Sequence, residues 1–244
     1  MKFILFICCL TFLFQYSSCT NNNVKAPFGN ILGVAQHTVV AYSNGDASYV
    51  SNETNSLYGI DLGLKWQAVE YARRYTLLRR GATFSDVNSA SELWTSLTDV
   101  EGVLNNKKYS LKQNPNGSPT APTVGSYLVY EVQNNLPLGH VAVVVGVTKN
   151  TVQVAEQNFY FNYWQEYYAR QIPLVHRDGL FYVEDSYQIY GWLQIADEKH
   201  ELKAVDQDIA AKIEAKNGLR SSSSSLSISS LAFVLFFSFR LMFN

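Results

Sequence analysis

Lys65-Trp66-Gln67-Ala68-Val69-Glu70-Tyr71-Ala72-Arg73-Arg74 is the stretch from which the fold and chemistry of this chain are read. Apolar residues at Trp66, Val69, Ala72 and Tyr75, continued by Leu77 and Leu78, recur with the period of an amphipathic helix. Asp61 and Gly63, just upstream, are the residue types of a loop and a cap. The first turn of such a helix presents backbone N–H groups without intrahelical partners and carries a partial positive charge. A cysteine-dependent enzyme sets its sulfur at such a terminus, because the helix end stabilises thiolate.

Working outward, 244 residues of which 47% are hydrophobic suffice for one domain with a sizeable core. The formal net charge is -1 and no basic run appears, so nothing in the charge pattern attracts nucleic acid. Aromatics make up 14% of the chain, with 16 Tyr, a proportion that suits a β-rich core or a surface contacting carbohydrate or peptide. The four histidines, His37, His140, His176 and His200, lack metal-ligand spacing. With no phosphate-binding glycine loop either, neither a metal nor a cofactor is expected, and no Gly-x-Ser-x-Gly elbow offers a serine nucleophile. No motif places Ser85 or Ser89 to replace a thiol.

The two ends carry processing signals. Lys2, the apolar run Phe3 to Phe14 and the small residues Ser17-Ser18-Cys19 make Met1 to Cys19 a secretory signal peptide. Tyr16 fits poorly in the rival reading, a bacterial lipoprotein box. Cys8, Cys9 and Cys19 are the only cysteines, so the mature protein is expected to hold no thiol and no disulfide. At the other end, Asn217-Gly218 and Ser221 to Ser230 precede Leu231 to Asn244, an apolar run broken by Ser238, Arg240 and Asn244. That pattern reads as a glycosylphosphatidylinositol attachment signal or a hydrophobic tail at 221–244, with a marginal membrane span or a disordered tail as the rival readings, the run being short of the roughly 20 apolar residues of a spanning helix. The expected location is the extracellular side of a eukaryotic cell surface. Asn52-Glu53-Thr54 and Asn116-Gly117-Ser118 have the form of glycosylation acceptors, the second weakened by Pro119.

Between these ends the pattern predicts a strand at Val39 to Asn44, a surface loop from Asp46 to Ser56 and the Ala68 helix running to Arg80-Gly81. A second helix is expected near Ala90 to Leu97, and a loop from Asn105 to Thr123. Strands follow at Gly125 to Val132, His140 to Thr148, Thr151 to Glu156, Gly179 to Val183 and Tyr190 to Ile195, with an aromatic segment from Phe159 to Tyr168. Glu198 to Lys216 is charged and weakly helical, which reads as part of a stalk over 198–220 leading from a domain at 27–197 to the anchor.

The decapeptide closely resembles the motif Lys-Trp-Gln-Cys-Val-Glu-Phe-Ala-Arg-Arg of the amidase domain in the glutathionylspermidine synthetase/amidase and trypanothione synthetase family. That domain belongs to the CHAP group of cysteine, histidine-dependent amidohydrolases/peptidases. Ala68 stands where the motif carries the nucleophilic cysteine. Gly139-His140-Val141-Ala142 is similar to the motif of the family's base, and Ala155-Glu156-Gln157-Asn158 to that of the carboxylate orienting it. The resemblance runs from about Phe28 to Asp197, with the three motifs in the family's order. It implies an α+β, papain-like fold (NlpC/P60-CHAP type) with an N-terminal helix packed on an antiparallel β-sheet. It further implies His140 and Glu156 as the retained catalytic pair and Gln67 as an oxyanion donor, with Trp66, Arg73 and Asn158 against the ligand. Gln67 is equally suited to capping the helix, and Arg73 to a surface charge.

Two function classes follow: a non-catalytic binding or regulatory protein whose cleft still admits an amide or peptide, or an active amidase with an unrecognised nucleophile or in which Ala68 is an introduced substitution for cysteine. The ligand implied is a glutathionylspermidine-like amide or a peptidoglycan stem peptide. The hairpin sets a geometric condition. A regular two-residue turn at Lys149-Asn150 would put His140 and Glu156 on opposite faces, so a shared site demands an irregularity such as a bulge near Gly146. For the anchor, phosphatidylinositol-specific phospholipase should release the protein from intact cells. Retention on the membrane, with the 231–244 peptide intact by mass spectrometry, would refute the lipid anchor.

Overall fold

A computed structural model describes residues 25–36 and 38–218; the expected signal peptide, the attachment signal at 221–244 and His37 lie outside the described residues. Thirteen strands and three helices follow in the order β1 (Ile31–Ala35), β2 (Val39–Tyr42), β3 (Thr54–Leu57), β4 (Ile60–Leu64), α1 (Ala68–Arg80), β5 (Ala82–Thr83), α2 (Glu92–Ser96), β6 (Asp99–Gly102), β7 (Lys108–Pro115), β8 (Tyr127–Tyr130), β9 (His140–Val147), β10 (Thr151–Ala155), β11 (Arg170–Arg177), β12 (Leu180–Val183), β13 (Ile189–Ile195) and α3 (Gln207–Lys216). A nine-stranded sheet is ordered β12-β11-β10-β9-β8-β13-β7-β6-β5, antiparallel throughout. The fold is α+β and papain-like, as the motifs imply. No helix among the described residues is long and apolar enough to cross a membrane.

Alternation along the central strands builds two cores. Tyr127 and Val129 of β8, with Val141 and Val143 of β9, pack on the α1 side with Ala68, Tyr71 and Ala72. Leu128, Tyr130, Ala142 and Val144 face the other way, toward Val152, Ile172, Leu174 and Trp192. This second core lies inside a curl of the sheet, because β12 returns to the chain just after β7. Gly117 N–H donates to Phe181 O and Phe181 N–H to Ser118 O, each at 2.8 Å.

Several expectations need correction. Asp61 and Gly63 belong to β4 of a hairpin, not to a loop or cap; β3, which starts at Thr54, likewise cuts into the expected Asp46 to Ser56 loop. The expected loop at 105–123 contains β7, which pairs with β13 and β6. Its signal is faint because its inward residues are few, Tyr109, the half-buried Leu111 and the polar Asn114, set among exposed lysines and polar residues. β11 escapes the sequence reading because Pro173 interrupts its apolar residues Ile172 and Leu174. α2 is shorter than expected. The stripe on α1 marks no single buried face: Glu70, Arg73, Arg74 and Thr76 are buried while Val69 is only half-buried. The cause is enclosure, since β9 packs on one side of the helix and β2, β4 and β5 on others.

The stalk is also corrected, because residues 198–218 dock on the domain. Leu202 joins the main core, and Ile213, 0% exposed, packs with Leu62 and Leu77. Asp206 caps α3 by accepting from Ile209 N–H at 2.8 Å, and Asn217 Nδ2 donates to Tyr58 O at 2.8 Å. Ile213→Ala should therefore cost about 2–5 kcal/mol in urea unfolding. The exposed neighbour change Lys212→Ala should cost less than about 0.5 kcal/mol. Equal effects would mean that this segment hangs free.

Candidate active site

The β9–β10 hairpin contains the required irregularity. Val152 pairs with Val147 and Gln153 with Gly146, but Val154 then pairs with Val144, leaving Val145 as the extra residue. Glycine suits position 146, where a Cβ would lie 2.1 Å from Gln153 Oε1. Beyond the bulge, His140 and Glu156 share a face, and His140 Nε2 lies 2.9 Å from Glu156 Oε2. Both side chains are buried. The imidazole rests against Phe159, ring centroids 4.5 Å apart, and Tyr130, 5.5 Å apart.

Glu156 is held on its other side. Its Oε1 accepts from Arg170 Nε at 2.6 Å, while Arg170 pairs with Asp185 and donates from its Nη2 to Tyr130 Oη at 2.7 Å. Burial pushes the Glu156 pKa up, but the Arg170 charge and the His140 hydrogen bond outweigh it and hold the group at about 2. An ionised carboxylate only accepts, so the bonded Nε2 carries the proton and Nδ1 is the nitrogen left with a lone pair in the neutral ring.

The start of α1 is built from the second and third motifs together. Ala68 is the first helical residue, 7% exposed, in one cluster with Val141 and Ala155, the neighbours of His140 and Glu156. Gln67 is the extended N-cap residue, yet its side chain makes no cap bond. Instead its Oε1 accepts from Asn158 Nδ2 at 2.7 Å, while Asn158 Oδ1 accepts from Asn44 Nδ2 at 3.1 Å. Asn158 adopts φ 54, the left-handed region that asparagine tolerates better than most residues. Trp66 stacks on Tyr42 at 4.1 Å between centroids.

With this geometry, residues 59–158 match the model of the CHAP domain. The chain carries a CHAP domain. It is 33% identical over 208 residues to the bifunctional glutathionylspermidine synthetase/amidase of Escherichia coli (strain K12), covering 80% of this chain and 33% of that protein. It is 30% identical over 165 residues to trypanothione synthetase of Crithidia fasciculata, covering 68% of this chain and 25% of the relative. The chain thus spans a third or less of the length of these relatives. The homology is to their amidase domain.

One expected ligand-contacting residue, Arg73, lies apart from His140 and Glu156. Arg73 follows Ala68 by five residues, about 140° around the helix. It faces a cavity of about 500 Å³ lined also by Thr83, Phe84, Asp99 and Asn217, and by none of Gln67, Ala68, His140, Glu156 or Asn158. Its Nη1 lies 3.6 Å from Asp86, and its buried Nε has no hydrogen-bond partner. Asn116, expected as a glycan acceptor, instead closes the sheet: Nδ2 donates to Val183 O at 3.0 Å and Oδ1 accepts from Val183 N–H at 2.8 Å. The nitrogen that would carry a sugar is therefore engaged, whereas Asn52 is exposed.

Sequence reasoning missed Asn44, Tyr130, Arg170 and Asp185. None stands in the three motifs, and only the tertiary fold, through sheet register and the loops that hold Asn44 and Asp185, gathers them. Among the described residues, no cluster of three His, Asp or Glu side chains converges as a metal site would.

Glu156 also makes folding pH-dependent. Its carboxyl titrates near 2 against an ordinary 4.5. A depressed carboxyl contributes stability that is fully present above the unfolded value and lost as pH falls through the folded one. Stability measured in urea should decline from pH 4.5 toward 2, by a few kcal/mol from this group. Glu156→Gln should flatten that decline; an unchanged slope would contradict the assignment.

Proposed function

We propose that this CHAP domain is displayed outside a cell on a C-terminal lipid anchor and binds an amide or peptide ligand without cutting it. The observation carrying this reading is the His140–Glu156 pair, at 2.9 Å, in a chain whose helix begins with the methyl group of Ala68. In a thiol amidase, sulfur adds to the carbonyl carbon and the histidine passes a proton to the departing amine. A methyl group has no lone pair to form that bond. Removing the nucleophile from such a unit leaves only about 10³–10⁴-fold acceleration over water.

What remains suits binding. The amides of the first turn of α1, which the Gln67 side chain leaves uncapped, are donors for a carbonyl oxygen. Asn158, held by Gln67 and Asn44, adds a polar contact beside them. Glutathionylspermidine and peptidoglycan stem peptides both combine amides with a carboxylate, and a cell-surface setting favours the second.

Restoring the sulfur tests the reading. Ala68→Cys should alkylate faster than a free thiol near neutral pH, because a helix start and a histidine both stabilise thiolate. It should also release amine from one of the two substrates, while the Ala68 protein binds that substrate in calorimetry and releases none. A cysteine variant that alkylates like a free thiol and cuts neither substrate would leave the motifs as structural inheritance only. Turnover by the Ala68 protein, abolished by His140→Ala, would point to another nucleophile.

A further inference from the structure

We propose that Arg170 is the positioning residue of the His140–Glu156 pair, fixing the carboxylate through a clamp completed by Asp185 and Tyr130. The inference rests on reading that pair as the retained half of an amidase site. The register of β10 against β11 sets it up. Val154 lies opposite Arg170, and Ala169 N–H donates to Val154 O at 2.7 Å. Glu156 stands two residues beyond Val154 and so projects to the same face as the guanidinium.

One hydrogen bond from His140 leaves a carboxylate free to rotate. Arg170 removes that freedom by approaching the other oxygen through Nε at 2.6 Å, with its Nη2 3.4 Å from the oxygen that His140 also uses. The guanidinium is itself immobilised. Asp185 pairs with Nη1, and Tyr130 Oη accepts from Nη2 at 2.7 Å while donating to Asp185 Oδ2 at 2.7 Å. Phe159 covers both ends of the chain of contacts, with its centroid 4.4 Å from the guanidinium carbon and 4.5 Å from that of His140. Excluding water there strengthens every charge interaction inside. The groups facing the pair are thus Tyr130 from β8, Arg170 from β11, Asp185 from the segment after β12, and Tyr71 from α1, whose phenol senses the Glu156 charge. This carboxylate has a plane set by the fold, and by accepting the hydrogen bond of Nε2–H it keeps Nδ1 of His140 open.

The first measurement uses the Ala68 protein labelled with ¹⁵N-histidine. The Nε2 proton shared with Glu156 should appear as a downfield, slowly exchanging resonance at neutral pH. Arg170→Gln should abolish it in a protein whose circular dichroism is unchanged, and Arg170→Lys should retain part of it. A folded Arg170→Gln protein with the resonance intact overturns the proposal. Should Arg170→Gln fail to fold, Asp185→Asn, which frees one arm of the clamp, should speed exchange of that proton; unchanged exchange overturns the proposal equally. In the Ala68→Cys background, Arg170→Gln should slow thiol alkylation at pH 7 by about tenfold, the scale at which outer positioning groups act. A rate unchanged by Arg170→Gln also overturns it. Failure of Ala68→Cys itself to react faster than a free thiol sinks the amidase reading and leaves the resonance test to decide on Arg170.

Discussion

The structure depends on a buried ion pair that never touches the candidate catalytic residues. Arg74 Nε donates to Glu70 Oε1 at 2.6 Å, one turn apart on α1, and Arg74 Nη2 donates to Gln157 Oε1 at 2.8 Å. Gln157 Nε2 in turn donates to Glu70 Oε2 at 2.8 Å, its Oε1 also accepts from Tyr42 N–H, and Asn55 Nδ2 donates to Glu70. The helix, the end of β10, β2 and β3 thus meet in one saturated network. Tyr42, Trp66 and Tyr71 surround the guanidinium, with its carbon 5.3–5.9 Å from their ring centroids. Burying two charges is costly, and such a pair holds only where the remaining donors and acceptors are met. Here they are met by side chains from separate parts of the chain, so the network fixes which segments lie together.

That network explains why Glu70 and Arg74 of the opening decapeptide point inward. Gln157 is flanked by Glu156 and Asn158, one facing His140 and the other facing Gln67. Pinning Gln157 therefore aligns its two neighbours with different parts of the site. The same logic accounts for the Val145 bulge, which shifts β10 by one position so that Glu156 turns to the face of His140.

The site that results is unequal. His140 and Glu156 are buried and bonded to each other, and Glu156 is held by Arg170, while the helix start carries only the methyl group of Ala68. Preorganisation of a histidine and a carboxylate has a cost in desolvation, offset here by Arg170, Asp185 and the stacking of Phe159.

Much of this was legible in the residues themselves. The decapeptide, Gly139-His140 and Ala155-Glu156-Gln157-Asn158 identify the helix, the two strands and the pair between them, because local motifs survive wherever backbone geometry and buried polar groups must be satisfied together. The need for a bulge follows from the two-residue period of a strand, which cannot otherwise bring positions 140 and 156 to one face. Other features were decided by tertiary structure alone. The faint alternation of β7 becomes a strand only between β6 and β13, and the charged segment at 198–218 docks only because Leu62 and Leu77 offer Ile213 a place out of water. Arg73 is turned to a separate cavity by helical phase, and Asn116 is consumed in closing the sheet. Arg170 reaches Glu156 through strand register and Asp185 reaches Arg170 from a loop, long-range contacts that leave no local pattern in the chain.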